Sequence, residues 1–201
     1  PHGVLRSGVV YTVDNSTSLV MAVLGTATAE GAWAAVVGLP DFGVEAAAGF
    51  GIDLARLVLI PAPGEHWLAV TAALVDVLPL VVVQPQRTVG AAEMARLSAR
   101  LRQSGCTLVV AGAWAQSEAA LCVTGTGWEG VGAGHGYLTG RTLSVTVAER
   151  NGPRREELIH LPDPAGTDPV GAGPALPARR GPASARGAGL RPGARPHPVA
   201  G

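Results

Sequence analysis

Four short runs of apolar, mostly β-branched residues constrain this chain more than anything else in it: Val9-Val10-Tyr11-Thr12-Val13, Trp33 to Leu39, Leu80 to Val83 and Cys106 to Ala111. None alternates with polar residues. A strand that is apolar on successive positions has to be buried on both faces, which requires a parallel sheet covered by helices. Punctuation supports this. Pro40 closes the second run, Pro61 closes a further one at Leu57 to Ile60, and Gln84-Pro85 closes the run at Leu80. Between the runs lie segments with helical spacing. Ser18 to Glu30 follows the turn and cap residues Asp14-Asn15-Ser16-Thr17. Val44 to Phe50 is short and ends at Gly51. Glu65 to Val77 places Trp67, Val70, Leu74 and Val77 three or four apart. Ala91 to Gln103 is the clearest amphipathic helix, with Met94, Leu97 and Leu101 on one stripe and Arg96, Arg100 and Arg102 largely off it. Strand and helix therefore alternate through the first 111 residues, the pattern of an α/β fold.

The pattern changes after Trp114. Ala119 to Val123, Tyr137 to Val147 and Glu157 to Leu161 read as strands without helices between them. They are joined by Gly-rich stretches such as Gly125 to Gly136, and they predict antiparallel hairpins extending the sheet. From Asp163 onward Pro, Gly, Ala and Arg dominate. Such a composition buries too little surface to offset ordering entropy, so the expected division is a folded domain over 1–162 and a disordered Pro/Gly/Arg-rich tail over 163–201.

Composition limits the chemistry. All 15 basic residues are Arg, and Lys is absent. That excludes a Schiff-base lysine, a P-loop lysine and a Ser-Lys dyad. The formal net charge is zero, so no global field draws the chain to nucleic acid or anionic lipid. The cysteines, Cys106 and Cys122, show no CxxC and no Cys/His spacing, and read as two small buried hydrophobes. No metal site or cofactor is expected. The longest apolar run, Trp67 to Val83, is broken by Asp76 and Pro79 and divides better into helix plus strand than into a membrane span. The expectation is a cytoplasmic protein with no membrane partner. The chain opens Pro-His without an initiator Met, as a trimmed chain or a fragment would.

Several stretches, in order, resemble the RecA core. Phe50-Gly51-Ile52-Asp53-Leu54-Ala55-Arg56-Leu57 is similar to that family's LGVDLDNL, and Pro61-Ala62-Pro63-Gly64-Glu65 resembles QPDTGEQ. Leu101 to Val110 resembles its LKQSNTLLIF passage. The resemblance spans roughly residues 4 to 162 and implies a RecA-like three-layer core, a mostly parallel sheet between helices extended by C-terminal antiparallel strands. It also marks what is missing. The phosphate-loop position is Asp14-Asn15-Ser16-Thr17-Ser18, shortened and without Gly or Lys. The catalytic-acid position is Pro40, with Asp41 next. Gln84 stands where the metal-linked Asp would end its strand, and Gly112-Ala113 replaces the sensor pair. The resemblance therefore implies no catalysis.

Among such chains this one resembles the actinobacterial ImuA-prime type, including the segment Trp128 to Val147 and the variable Pro/Arg-rich tail. The resemblance implies an accessory role in SOS-induced translesion synthesis after DNA damage. The implied partners are an ImuB-type inactive Y-family polymerase homologue and an error-prone C-family polymerase, with RecA as a further partner. DNA contact would be indirect or weak, and the protein would gather at the nucleoid on damage. The competing readings are a RecA-family ATP- and DNA-binding recombination protein and a SulA-like cell-division inhibitor. Arg87, Arg96, Arg100 and Arg102, with Trp114 and Trp128, are the expected partner-binding residues, since Trp and Arg anchor interfaces. Solvated arginines and core tryptophans are the plain alternatives, and Trp67 on its stripe reads as core. His135, inside Gly132 to Gly136, reads as part of a hairpin turn. Glu65 and His66 read as the start of a helix.

Overall fold

A computed structural model describes residues 5–14, 16–129 and 140–161. Its elements run β1 (Val10–Asp14), α1 (Thr17–Ala29), β2 (Ala34–Val37), α2 (Val44–Gly49), β3 (Leu57–Ile60), α3 (Trp67–Val75), β4 (Leu80–Val83), α4 (Ala91–Ser104), β5 (Thr107–Ala111), β6 (Ala119–Glu129), β7 (Gly140–Glu149) and β8 (Arg154–Leu161). Short 3-10 turns at Leu54–Arg56 and Gly64–His66 precede β3 and α3. All strands among the described residues join one eight-stranded sheet, ordered β3-β2-β4-β5-β1-β6-β7-β8. The pairs β2·β3, β2·β4, β4·β5, β1·β5 and β1·β6 are parallel, whereas β6·β7 and β7·β8 are antiparallel.

The uninterrupted apolar runs behave as their composition requires. In β2 and β4 every residue is buried, and successive side chains enter opposite layers. Ala34, Val36, Leu80 and Val82 face one layer with Leu19, Val20 and Leu24 of α1 and with Phe42, Ala47 and Ile52 around α2. Ala35, Val37, Val81 and Val83 face the other, with Trp67 and Val75 of α3 and Leu97 and Leu101 of α4. Each layer supplies what the other face of the strand cannot, so neither helix pair is dispensable. Gly25 allows α1 to meet the α2 region, because a Cβ there would lie 2.4 Å from the carbonyl oxygen of Phe50.

The structure departs from the sequence reading at several boundaries. The strand expected from Trp33 to Leu39 is limited to Ala34–Val37, because Gly38 turns the chain at φ 75°. The helix expected from Glu65 begins as a 3-10 turn and becomes α-helical only at Trp67. β6 does not stop at Val123. It continues through the glycines expected to be loop, Gly125 and Gly127, to Glu129. A register shift between Val123 and Gly125 marks a bulge, and this lets the glycines remain in the ladder. β6 is also not part of a purely antiparallel extension, since it pairs parallel with β1. Cys106 is buried as expected, but Cys122 is only partly so. The start of the strand expected at Tyr137, the turn at His135 and the tail expected over 163–201 lie outside the described residues. No helix among the described residues is long and apolar enough to cross a membrane.

Candidate functional site

In an open α/β sheet a ligand crevice forms outside the carboxyl ends of strands where successive connections leave in opposite directions. Here the connection from β1 leads to β2, and that from β5 leads to β6 on the other side of β1. The crevice position therefore lies beside Asp14, at the start of α1.

Two residues, Asn15 and Ser16, separate β1 from α1. Ser16 has extended backbone angles, and its Oγ accepts the Leu19 N–H at 3.2 Å, satisfying one of the free donors of the first turn. Its carbonyl accepts the Val20 N–H at 3.1 Å. Thr17 is exposed, and Asp14 is exposed at the strand end, with Cys122 Sγ 3.7 Å from its Oδ2. Ser18 receives a hydrogen bond of 3.2 Å from Arg141 Nη1 on β7. That guanidinium lies over the Trp128 ring, 4.9 Å from its centroid. Arg141 and Trp128 are cross-strand partners. The bulge in β6 brings Trp128 onto the face that carries Leu143 and Val145, so the pair overhangs the start of α1. Arg141 Nε is buried and has no acceptor among the described residues.

The neighbouring strand ends are sewn together. Gln84 N–H donates to Val37 O at 2.9 Å, and Gly38 N–H donates to Ile60 O at 2.9 Å. Gln86 Nε2 donates to the carbonyls of Gly38 (3.1 Å) and Gln84 (3.0 Å). A Cβ on Gly38 would stand 2.7 Å from Gln84 O, so only glycine fits this junction. The Gln84 side chain is exposed at the end of β4, and Pro40 and Asp41 are exposed on the turn after β2. Gly112, after β5, donates its N–H to Val13 O at 3.0 Å. No group of three His, Cys, Asp or Glu side chains gathers as a metal site among the described residues.

The arginines singled out by sequence do not form one cluster. Arg87 pairs with Glu93 through two contacts, 3.0 and 2.7 Å, at the start of α4. Arg87's hydrogen bonds, then the Gly90 N–H, hold the Glu93 carboxyl down at about 2. Arg96 is exposed, and Arg100 lies 3.5 Å from Asp76. Arg102, at the far end of this 14-residue helix, faces a different cleft. The tryptophans separate as well. Trp67 and Trp114 are buried among α3 and α4, and their indole N–H groups have no acceptor among the described residues. Trp128 is 56% exposed. Glu65 and His66 are exposed in the turn before α3. Sequence reasoning missed Arg141. Its signal was the pairing of Trp128 with Arg141 across the hairpin, which ending β6 at Val123 concealed.

Comparison with known proteins places the chain in a family. Residues 1–116, which contain β1 to β5 and the whole double helical cover, match the MT3502 N-terminal domain. The chain is also 39% identical over 127 residues to "Uncharacterized protein Rv3395c" of Mycobacterium tuberculosis. That alignment takes in 62% of each chain, so this chain spans less than two thirds of that relative's length. More than half of the chain is covered by the domain match, and the protein therefore belongs to the MT3502 N-terminal domain family.

Proposed function

We propose that this chain is a non-catalytic accessory protein of damage-induced translesion DNA synthesis, built on a RecA-like core and acting through protein partners. The observation that carries the non-catalytic part is the length of the β1–α1 connection. A phosphate loop needs several consecutive backbone N–H groups curled around the ligand, with a Lys reaching the terminal phosphate. Two residues cannot make that curl, and this chain has no Lys to supply. Ser16 already occupies a first-turn donor of α1, and Asp14 adds negative charge where a phosphate would have to sit.

A mostly parallel sheet between two helical layers, extended by antiparallel strands, is the architecture that a RecA-like core calls for, and it supports that part of the reading. The mutasome role follows from the ImuA-prime resemblance. On this reading the partners are an ImuB-type polymerase homologue, an error-prone C-family polymerase and RecA, met through exposed groups such as Arg96, Arg100 and Trp128.

Two measurements test it. Calorimetric titration with Mg-ATP is expected to give no binding heat and no hydrolysis; turnover would favour the recombination ATPase instead. Pull-down with the ImuB-type protein is expected to succeed and to weaken when Arg96, Arg100 and Arg102 are changed to Glu. Failure of that pull-down, with filamentation of cells on overexpression alone, would favour the cell-division inhibitor.

A further inference from the structure

A cleft of about 180 Å3 opens at the amino-terminal ends of β1 and β6, the end of the sheet opposite Asp14. Four separate segments build it. The start of β1 forms its floor, α4 contributes Ser98 and Arg102, the segment before β6 contributes Gln116 and Glu118, and the turn after β7 contributes Arg150. Backbone hydrogen bonds lock these segments together. Glu118 N–H donates to Val10 O at 2.7 Å, Arg150 N–H to Glu118 O at 2.8 Å, and Gly8 N–H to Cys106 O at 3.1 Å. The backbone of β1, of the segment before β6 and of the turn after β7 is therefore tied together beneath the cleft.

Charge in the cleft is unbalanced. Glu118, the one carboxylate lining it among the described residues, is held by Arg6 Nη1 at 2.8 Å. Arg6 is itself anchored, since its N–H donates to Tyr11 Oη at 2.9 Å and its carbonyl accepts from Thr107 Oγ1 at 3.0 Å. Arg102 and Arg150 remain exposed, and neither forms an ion pair among the described residues. Ser98 and Gln116 add neutral hydrogen-bonding groups beside them. Two guanidiniums that form no ion pair among the described residues line this small cleft, and guanidiniums suit a planar, two-oxygen anion.

We propose that this cleft binds a carboxylate side chain from an acidic segment of a partner protein. Naming a protein as the source rests on the accessory-protein reading; the anion chemistry does not. A nucleic-acid backbone fits less well. Binding it usefully takes several phosphate contacts along a basic track, whereas the chain has zero net charge and the cleft has room for one group.

The probe is acetyl-triglutamate amide, titrated into the full chain labelled with nitrogen-15 and followed by amide shifts. Saturable shifts at Gly8, Ser98, Gln116 and Glu118 are expected, with a dissociation constant of roughly 1–10 mM, as one charged pair in water supports. Arg102→Gln with Arg150→Gln should weaken binding at least about tenfold, while Arg56→Gln, just before β3 at the far edge of the sheet, should leave it unchanged. Unsaturable shifts, equal binding by the cleft double variant, or tighter binding of a single-stranded oligonucleotide at the same amides would each overturn the proposal. Loss of the polymerase-homologue pull-down with tripeptide binding intact would sink the accessory reading alone.

Discussion

The parallel half of the sheet and its antiparallel extension solve the same burial problem differently. β2 and β4 are buried along their whole length, and β1 and β5 along all but their last residue, because helices cover both faces. In β6 to β8 the inward positions Leu143, Val145 and Leu161 pack into the layer that holds α1, whereas β8 is otherwise largely exposed. Its edge carries Arg154, Arg155, Glu156 and Glu157, with Arg155 paired to Glu149, and charge of this kind discourages edge-to-edge pairing. The comparison teaches that stability should reside in the doubly covered half, and that the extension tolerates change outside its single inner row.

Core truncation tests this most severely. Trp67 is 1% exposed between α3 and the sheet, so Trp67→Ala should cost about 3–5 kcal/mol by urea unfolding. Leu158 on β8 is 67% exposed, and Leu158→Ala should stay within about 0.5 kcal/mol. Equal losses at the two sites would show that the extension is as critical as the parallel half.

Gly38→Ala comes next. The substitution puts a side chain on a residue at φ 75° and drives its Cβ toward Gln84 O, so a loss of about 1–3 kcal/mol is expected. Gly127→Ala in β6, where the nearest atoms to an added Cβ are 3.9 Å away, should be close to neutral. A neutral Gly38→Ala would mean that the junction of β2 and β4 relaxes, and that the strand ends are less tightly sewn than their hydrogen bonds imply.

How much the sequence revealed follows the same division. Val81-Val82-Val83 and Leu108-Val109-Val110 are apolar at every position, so double burial could be read from them directly. In β6 the informative residues alternate, and the bulge after Val123 shifts that alternation by one, so period-two reasoning lost the strand where Trp128 lies. The short turn between β1 and α1 was legible because it depends on chain order alone. Arg141 over Ser18 was not, because that contact joins residues 123 apart. The separation of Arg87 from Arg102 follows from helix geometry, since Glu93, which holds Arg87, precedes Arg102 by nine residues of α4, a rise of about 14 Å.

The two cysteines provide a chemical version of the comparison. Cys106 lies in the parallel half, and burial pushes its thiol up to about 12, which leaves almost no thiolate at neutral pH. Cys122 is half-buried in β6. A thiol reagent added to the native protein at pH 8 should therefore label Cys122 first and reach Cys106 only when the chain unfolds. Mass spectrometry of the labelled peptides reads the order. Simultaneous labelling would mean that the doubly covered half opens as readily as the extension.

The smallest effect is expected at the start of α4, on the solvent side of the parallel half. Glu93 accepts from Arg87 and from the Gly90 N–H, which lowers its carboxyl from 4.5 to about 2. A carboxyl lowered on folding adds stability above its unfolded value, and that contribution disappears as pH falls from 4.5 toward 2. The group is exposed, so salt should screen the contribution. Wild type and Glu93→Gln should therefore differ slightly near neutral pH and converge in acid. The carboxyl carbon resonance of Glu93 should titrate well below the ordinary value at low ionic strength and move upward with added salt. A midpoint near 4.5 in dilute buffer would show that Arg87 spends its time in water, leaving Arg87 as open to a partner as Arg96.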